Sequence, residues 1–374
     1  MLSCKTDAAR RSSAGGVTGE PRQRHLLRAH AGAPRLTVNP HPIPMHDSIA
    51  GPMSTQNALG ELRTFIGKRI IGQQQLVERL LIALLADGHL LVEGPPGLAK
   101  TRAIKVLAEG IEGDFHRIQF TPDLLPADLT GTEIYRPQDG SFKFQQGPLF
   151  HHLVLADEVN RAPAKVQSAL LEAMAERQIT IGRETYQLPA LFLVMATQNP
   201  LEQEGTYPLP EAQLDRFLLH VTITYPSPEE EREVLHLARI EALEGITGLS
   251  AHAPILNQEQ VFAARREVLA VHMSEALERY IIELVCATRT PGAYGEDIAR
   301  WVAYGASPRA TIALDRCARA HAWLAGRDYV NPEDIHALAP DVLRHRVILD
   351  FEAAAEGITP DRLVSTLLSR VAVP

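Results

Sequence analysis

Cysteine is scarce in this sequence: Cys4, Cys286 and Cys317 are the whole complement, an odd number with no CxxC spacing. That excludes a disulfide framework and a thiolate zinc site. No apolar run approaches the roughly 20 residues that span a bilayer, and the stretch after Met1 lacks the uninterrupted apolar segment of a secretory signal. The reading is a cytoplasmic protein that is not integral to a membrane. An excess of positive charge is missing too. Net charge is −8; residues up to Pro44 hold seven Lys/Arg against two Asp/Glu, leaving 30 against 43 beyond them, a net of −13. An acidic body with only 5% aromatic residues argues against broad electrostatic binding of nucleic acid.

What is present, 374 residues of which 45% are apolar and 22% charged, suffices for two packed globular domains. Residues 1–52 are rich in Arg, His, Pro, Gly and Ala without periodicity, and predict a disordered leader. Arg-rich, acid-poor composition also suits a transit peptide. Met45 and Met53 offer the simpler account, a start further in, and that is the reading favoured.

The remainder is organised around Leu90–Thr101, a short apolar run entering the loop Gly94, Pro95, Pro96, Gly97, Leu98, Ala99, followed by Lys100, Thr101 and Arg102. The pattern predicts a buried strand, a phosphate loop and a helix start. Such a loop turns its N–H groups inward at a helix N-terminus, where partial positive charge favours an anion. Lys100 then suits the β/γ-phosphates and the Thr101 hydroxyl suits Mg²⁺. The match to GxxxxGK[ST] is imperfect, because Ala99 stands where the second Gly belongs.

Further elements follow in order. A predicted strand at 115–120 precedes an irregular insertion at 121–146 with a small hairpin turning at Asp139-Gly140. The apolar run Leu153–Ala156 ends in Asp157-Glu158, two carboxylates at a strand's C-terminal edge, where α/β sheets place ligands. Asp157 suits Mg²⁺, and Glu158 suits a water to be oriented and deprotonated. An amphipathic helix over 163–177, a hairpin over 178–186 and a buried strand ending in Thr197-Gln198-Asn199 come next. Asn199 suits a γ-phosphate or lytic water, or an Asn-Pro turn. Arg216 is either an ion-pair partner of Asp215 or an arginine finger. Ser227-Pro228 opens a capped helix, and beyond it the sequence predicts helices only. Ser307-Pro308-Arg309 is a capped start with a cation in its first turn, which an anionic ligand or an acidic neighbour would explain.

With these residues in this order the chain resembles an AAA+ ATPase, and more narrowly the MoxR family. The resemblance rests on Gly94–Thr101, Gln119–Thr132, Ala156–Pro163, Ala196–Pro200, Glu204–Phe217 and Gly305–Arg309, and covers Leu59 to Leu349. It implies an α/β fold, an AAA+ P-loop three-layer αβα core over 53–226 with a C-terminal all-α lid domain over 227–374. The insertion would be the family's helix-2 insert (about 121–146), and the hairpin (about 178–187) its pre-sensor hairpin. Lys100 and Thr101 would be the Walker A pair, Asp157 and Glu158 Walker B, and Asn199 sensor 1. Arg216 would act as finger on a neighbouring subunit's nucleotide, with Arg309 as sensor 2 from the lid. ATP and Mg²⁺ are the implied cofactors and a hexameric ring the implied assembly. The implied client is a von Willebrand A domain protein, or a metalloenzyme receiving metal or cofactor. Two alternatives remain from the residues alone: a nucleic-acid motor, opposed by the acidic body, and a binding module switched by nucleotide.

Overall fold

Helix α1 (Thr55–Gly67) buries Ala58, Leu59, Leu62 and Ile66 along one face, the helical spacing of a core-facing stripe. Helix α2 (Gln74–Leu85) is apolar nearly all round and accordingly buries nine of its twelve residues. The computed structural model describes residues 55–200, 205–247 and 253–374; the leader predicted for residues 1–52 lies outside them.

Strand β1 (Leu90–Glu93) follows, then helix α3 (Lys100–Gly110) and strand β2 (Phe115–Gln119). The region read as an irregular insertion begins with a helical turn that the sequence reading did not foresee, α4 (Pro126–Thr130), whose Asp128 carboxylate accepts from Leu125 N at 2.8 Å. Five residues are too few to show a 3.6-residue period. The hairpin β3 (Gly131–Arg136) and β4 (Ser141–Gln146) then turns where predicted, with Asp139 accepting from Ser141 N at 3.0 Å and Gly140 at φ +70°. Strand β5 (Leu153–Asp157), helix α5 (Ala164–Glu176), the hairpin β6 (Gln178–Ile181) with β7 (Glu184–Gln187), and strand β8 (Leu193–Gln198) continue the chain. Helix α6 (Glu211–Leu214) and strand β9 (Leu219–Thr222) complete the core.

Five parallel strands form one sheet in the order β2-β5-β8-β1-β9. Their residues alternate between two apolar layers. Leu90, Val92, Leu153, Leu155, Leu193 and Met195 pack with α1, α2 and α3, whereas Leu91, Val154, Ala156, Val194 and Ala196 pack with α4 and α5. Near-continuous apolar strands covered on both faces give three αβα layers, as predicted.

The rest is helical, as the sequence predicts: α7 (Pro228–Thr247), α8 (Gln258–Ala270), α9 (Glu275–Arg289), α10 (Glu296–Trp301), then, after a short strand, α11 (Pro308–Leu324) and α12 (Pro332–Leu343), and finally α13 (Phe351–Ala355) and α14 (Pro360–Arg370). One correction applies. Strands β10 (Val302–Tyr304) and β11 (Ile348–Leu349) pair antiparallel where only helices were expected, because two or three residues carry no readable alternation. Buried Arg79 of α2 ties this region to the core, pairing with Asp341 of α12 at 2.7 Å and donating to Ala337 O at 2.7 Å.

His89, just before β1, accepts from Val194 N at Nδ1 (3.1 Å), so Nε2 carries the proton and donates to Met174 O (3.2 Å). Burial, helped by Arg177, holds its pKa down at about 4. Above pH 6.5 the group is neutral in folded and unfolded chains alike. Between pH 6.5 and 4 the unfolded chain binds a proton that the folded site refuses, so stability falls as pH falls, by roughly 3 kcal/mol over that window. Denaturant titrations from pH 7.5 to 4.5 should show this loss, and His89→Gln should flatten it; an unchanged slope would assign the loss elsewhere.

Candidate functional site

The chain leaves β1 at Glu93 and reaches α3 through six loop residues. Gly94 is required by space: a Cβ there would lie 2.4 Å from Ile223 Cγ1. Gly97 takes φ +83°, and Ala99 is left-handed at φ 55°, ψ 20° immediately before the helix. The position where the generic motif has Gly therefore keeps the glycine-like conformation with the smallest possible side chain, at a cost of about 1–2 kcal/mol. Lys100 arches back across the loop, donating to Gly94 O (2.7 Å) and Gln198 O (3.2 Å). Thr101 is half-buried in the helix's first turn. Arg102 turns away: its Nε donates to Arg69 O at 2.9 Å and its guanidinium pairs with Glu241 of α7. Its side chain thus ties the loop to the helical region.

Two strands away, β5 brings Asp157 and Glu158 to the same C-terminal edge. Thr197 at the end of β8 organises both: its hydroxyl donates to Asp157 Oδ1 at 2.5 Å and accepts from Glu158 N at 3.0 Å. Glu158 is itself left-handed at φ 57°. From β2, Arg117 pairs with Asp157 at 2.7 Å, and Gln119 Nε2 donates to Glu158 Oε2 at 2.7 Å. Thr197, Arg117 and Gln119 carry no role in the sequence reading. The signal for Arg117 and Gln119 is polar residues at i and i+2 on a strand, and it means something only once β2 is known to border β5. Asn199, buried just past β8, lines a cavity of about 320 Å³ with Glu93, Asn160 and Leu214.

The two remaining predicted residues are elsewhere. In the β1/β9 register Leu90 faces Leu219 and Glu93 faces Thr222. Arg216 precedes β9, whereas Lys100 follows β1. About 13 Å of strand, at ~3.3 Å per residue, thus lies between them, and they occupy opposite edges of the sheet. Arg216 Nη1 donates to Leu171 O at 2.6 Å. Its proposed pairing with Asp215 is corrected, because that carboxylate is engaged otherwise: it accepts from buried Arg346 Nε and from Ser307 Oγ, each at 2.9 Å, and lies 3.7 Å from Arg309. Ser307 caps α11, accepting from Arg309 N at 3.1 Å. The cation in that first turn has an acidic neighbour, and Arg309 shares its edge with Arg216.

The family model described as "ATPase family associated with various cellular activities (AAA)" matches residues 89–219, and that of the AAA lid domain matches 296–367. The chain is similar to the chaperone MoxR1 of Mycobacterium tuberculosis, 47% identical over 88% of this chain and 87% of that protein. It is similar to the protein MoxR of Methylorubrum extorquens, 32% identical over 85% and 96%. A crystal structure of a candidate ATPase from Cytophaga hutchinsonii superposes with a TM-score of 0.78 at 49% identity, over 86% of this chain and 96% of the other.

Asp215→Asn removes the carboxylate that balances Arg346, whose side chain is only 2% exposed. Stability should fall by about 3–5 kcal/mol, the usual cost of orphaning a buried charge, read as a lower denaturation midpoint; a change below about 1 kcal/mol would show that the main-chain carbonyls around Arg346 suffice.

Proposed function

The chain belongs to the MoxR family of AAA+ ATPases, and from that premise we propose that it is a Mg²⁺-dependent ATP hydrolase, active as a ring, that remodels or matures a partner protein. The observation that carries this reading is the separation of its parts. Loop, acids and Asn199 lie at one edge of the sheet, Arg216 and Arg309 at the other, so one subunit's phosphate site is completed by the arginines of the next. A head-to-tail contact of this kind closes into a ring, and a hexamer is the size proposed.

The loop suits a nucleotide. A Cβ at Gly97 would meet nothing within 4 Å, leaving open space above the turn, and the N-terminus of α3 supplies main-chain donors. Thr101 and Asp157 offer the oxygen ligands that Mg²⁺ prefers, and the ion when bound would neutralise phosphate charge. In the proposed reaction Lys100 holds the terminal phosphates. Glu158, oriented by Gln119, takes a proton from water as the water oxygen bonds the γ-phosphorus and the bridging P–O bond breaks, giving ADP and phosphate. Asn199 positions that water, and Thr197 keeps Asp157 and the Glu158 main chain in register. Arg216 stabilises charge that develops on the neighbour's transferred phosphoryl group, with Arg309 beside it.

The chaperone-like role reaches a client through the two hairpins, joined where Phe144 stacks on Tyr186 at 4.1 Å between centroids. A von Willebrand A domain protein or a metalloenzyme is the proposed client.

Lys100→Ala should abolish ATP binding measured by calorimetry while the chain stays folded; retained affinity would refute the loop assignment. Glu158→Gln should bind ATP without turnover, and capture on that variant should retain the client. Arg216→Ala should leave binding near wild type and lower hydrolysis by roughly 10³, and specific activity of the wild type should climb steeply with protein concentration. Hydrolysis independent of both would return Arg216 to a structural role.

A further inference from the structure

The edge that carries Arg216 and Arg309 also holds a cavity of about 330 Å³ whose charge does not balance. Five arginines line it against two aspartates. Both acids are already committed. Asp87 takes Arg177 and Arg265 at 2.5 Å each, and Asp215 takes Arg346 and Ser307. What remains is Arg216, held by one carbonyl, Arg309, 3.7 Å from a shared carboxylate, and Arg316, which among the described residues makes no hydrogen bond or ion pair.

Arg316 owes its place to helix geometry. Arg309, Ile312, Ala313 and Arg316 all line the cavity, and their spacing of i, i+3, i+4 and i+7 puts them on one face of α11. Arg316 is exposed, so it has no part in the core. Three cations lining one cavity, with a single shared carboxylate near one of them, repel one another unless an anion joins them. In a chain whose net charge is −8, such a concentration of positive charge is a local feature.

We propose that Arg316 is a third nucleotide-contacting residue, which with Arg216 and Arg309 faces the polyphosphate held on the phosphate loop of a second copy of this chain. The proposal rests on the shared-site reading above, and goes beyond it in the residue it assigns. The chain's own loop cannot supply that polyphosphate, since Lys100 lies across the sheet. Arg216 leaves the β9 side of the cavity and Arg316 the α11 side, so the anion would be gripped from two elements, and the grip would tighten as negative charge grows on the transferred group.

The test uses the full chain with ATP as probe. Arg316→Ala should hydrolyse ATP roughly ten- to a hundredfold more slowly, the range of one hydrogen bond to a charged group, while Arg316→Lys keeps part of the rate. Both should melt and sediment as wild type does. Arg316→Ala is then mixed with Lys100→Ala, which lacks a working loop but presents an intact Arg316. Restored hydrolysis, up to about a quarter of the wild-type rate because one head-to-tail contact in four pairs the intact halves, supports action across the interface. The parallel mix of Arg216→Ala with Lys100→Ala separates the two claims. If that mix recovers and the Arg316 mix does not, or if Arg316→Ala alone matches wild type, the assignment of Arg316 is overturned while the shared site stands. If neither mix recovers, the shared-site reading itself fails and takes the proposal with it.

Discussion

Asp215 is the residue on which the arrangement of the rest depends. Its carboxylate receives the buried Arg346 that follows α12, the Ser307 hydroxyl that caps α11, and the nearby Arg309 guanidinium. Arg346 also donates to Leu218 O at 3.2 Å and to Phe217 O, so the join is made to main chain as well as to a side chain. A charge pair this buried is strong only when its remaining valences are filled, and here they are. The start of β9 and the N-terminus of α11 are thereby held together, which places cations from two distant stretches of sequence at one edge of the sheet.

The opposite edge is built by another device. Each of β1, β5 and β8 runs apolar through the core and ends in polar residues, so sheet register brings Asp157, Glu158 and Asn199 to one edge, and the loop after β1 returns Lys100 to Gln198 O there. Thr197 then fixes the two acids through one hydroxyl. Two left-handed residues, Ala99 and Glu158, stand where the chain must bend sharply at this edge. Such conformations persist where the surrounding structure over-determines them, and here a rigid parallel sheet does so.

These features were unequally legible in the sequence. Strand-to-polar transitions are local, so the phosphate loop, Asp157-Glu158 and Thr197-Gln198-Asn199 could be read directly. Turn chemistry exposed both hairpins, through Gly140 and Gly182. Strand order is a tertiary fact, and with it went Arg117 and Gln119, whose meaning comes only from lying beside β5. The short elements α4, β10 and β11 are below the length at which a period can be seen. Arg316 was illegible for a different reason: a surface arginine on an amphipathic helix is ordinary until the cavity it lines is known to have spent its acids.

The same contrast between local and tertiary bears on how the two hairpins relate to the chemistry. Helix α5 begins a few residues after Glu158 and ends at Arg177, which is left-handed, pairs with Asp87 and leads straight into β6. A displacement at the acids therefore has a rigid rod of 13 residues through which to reach the hairpin. Phe144 and Tyr186 extend that path to the inserted hairpin, whose Tyr135 and Phe142 are more than half exposed. Arg177 and Arg216 line the same cavity as Arg309, so the far end of α5 also abuts the edge that carries those arginines. One helix thus packs in the layer that holds Val159 beside the acids, accepts from Arg216 at Leu171 O, and leads through Arg177 into the hairpin.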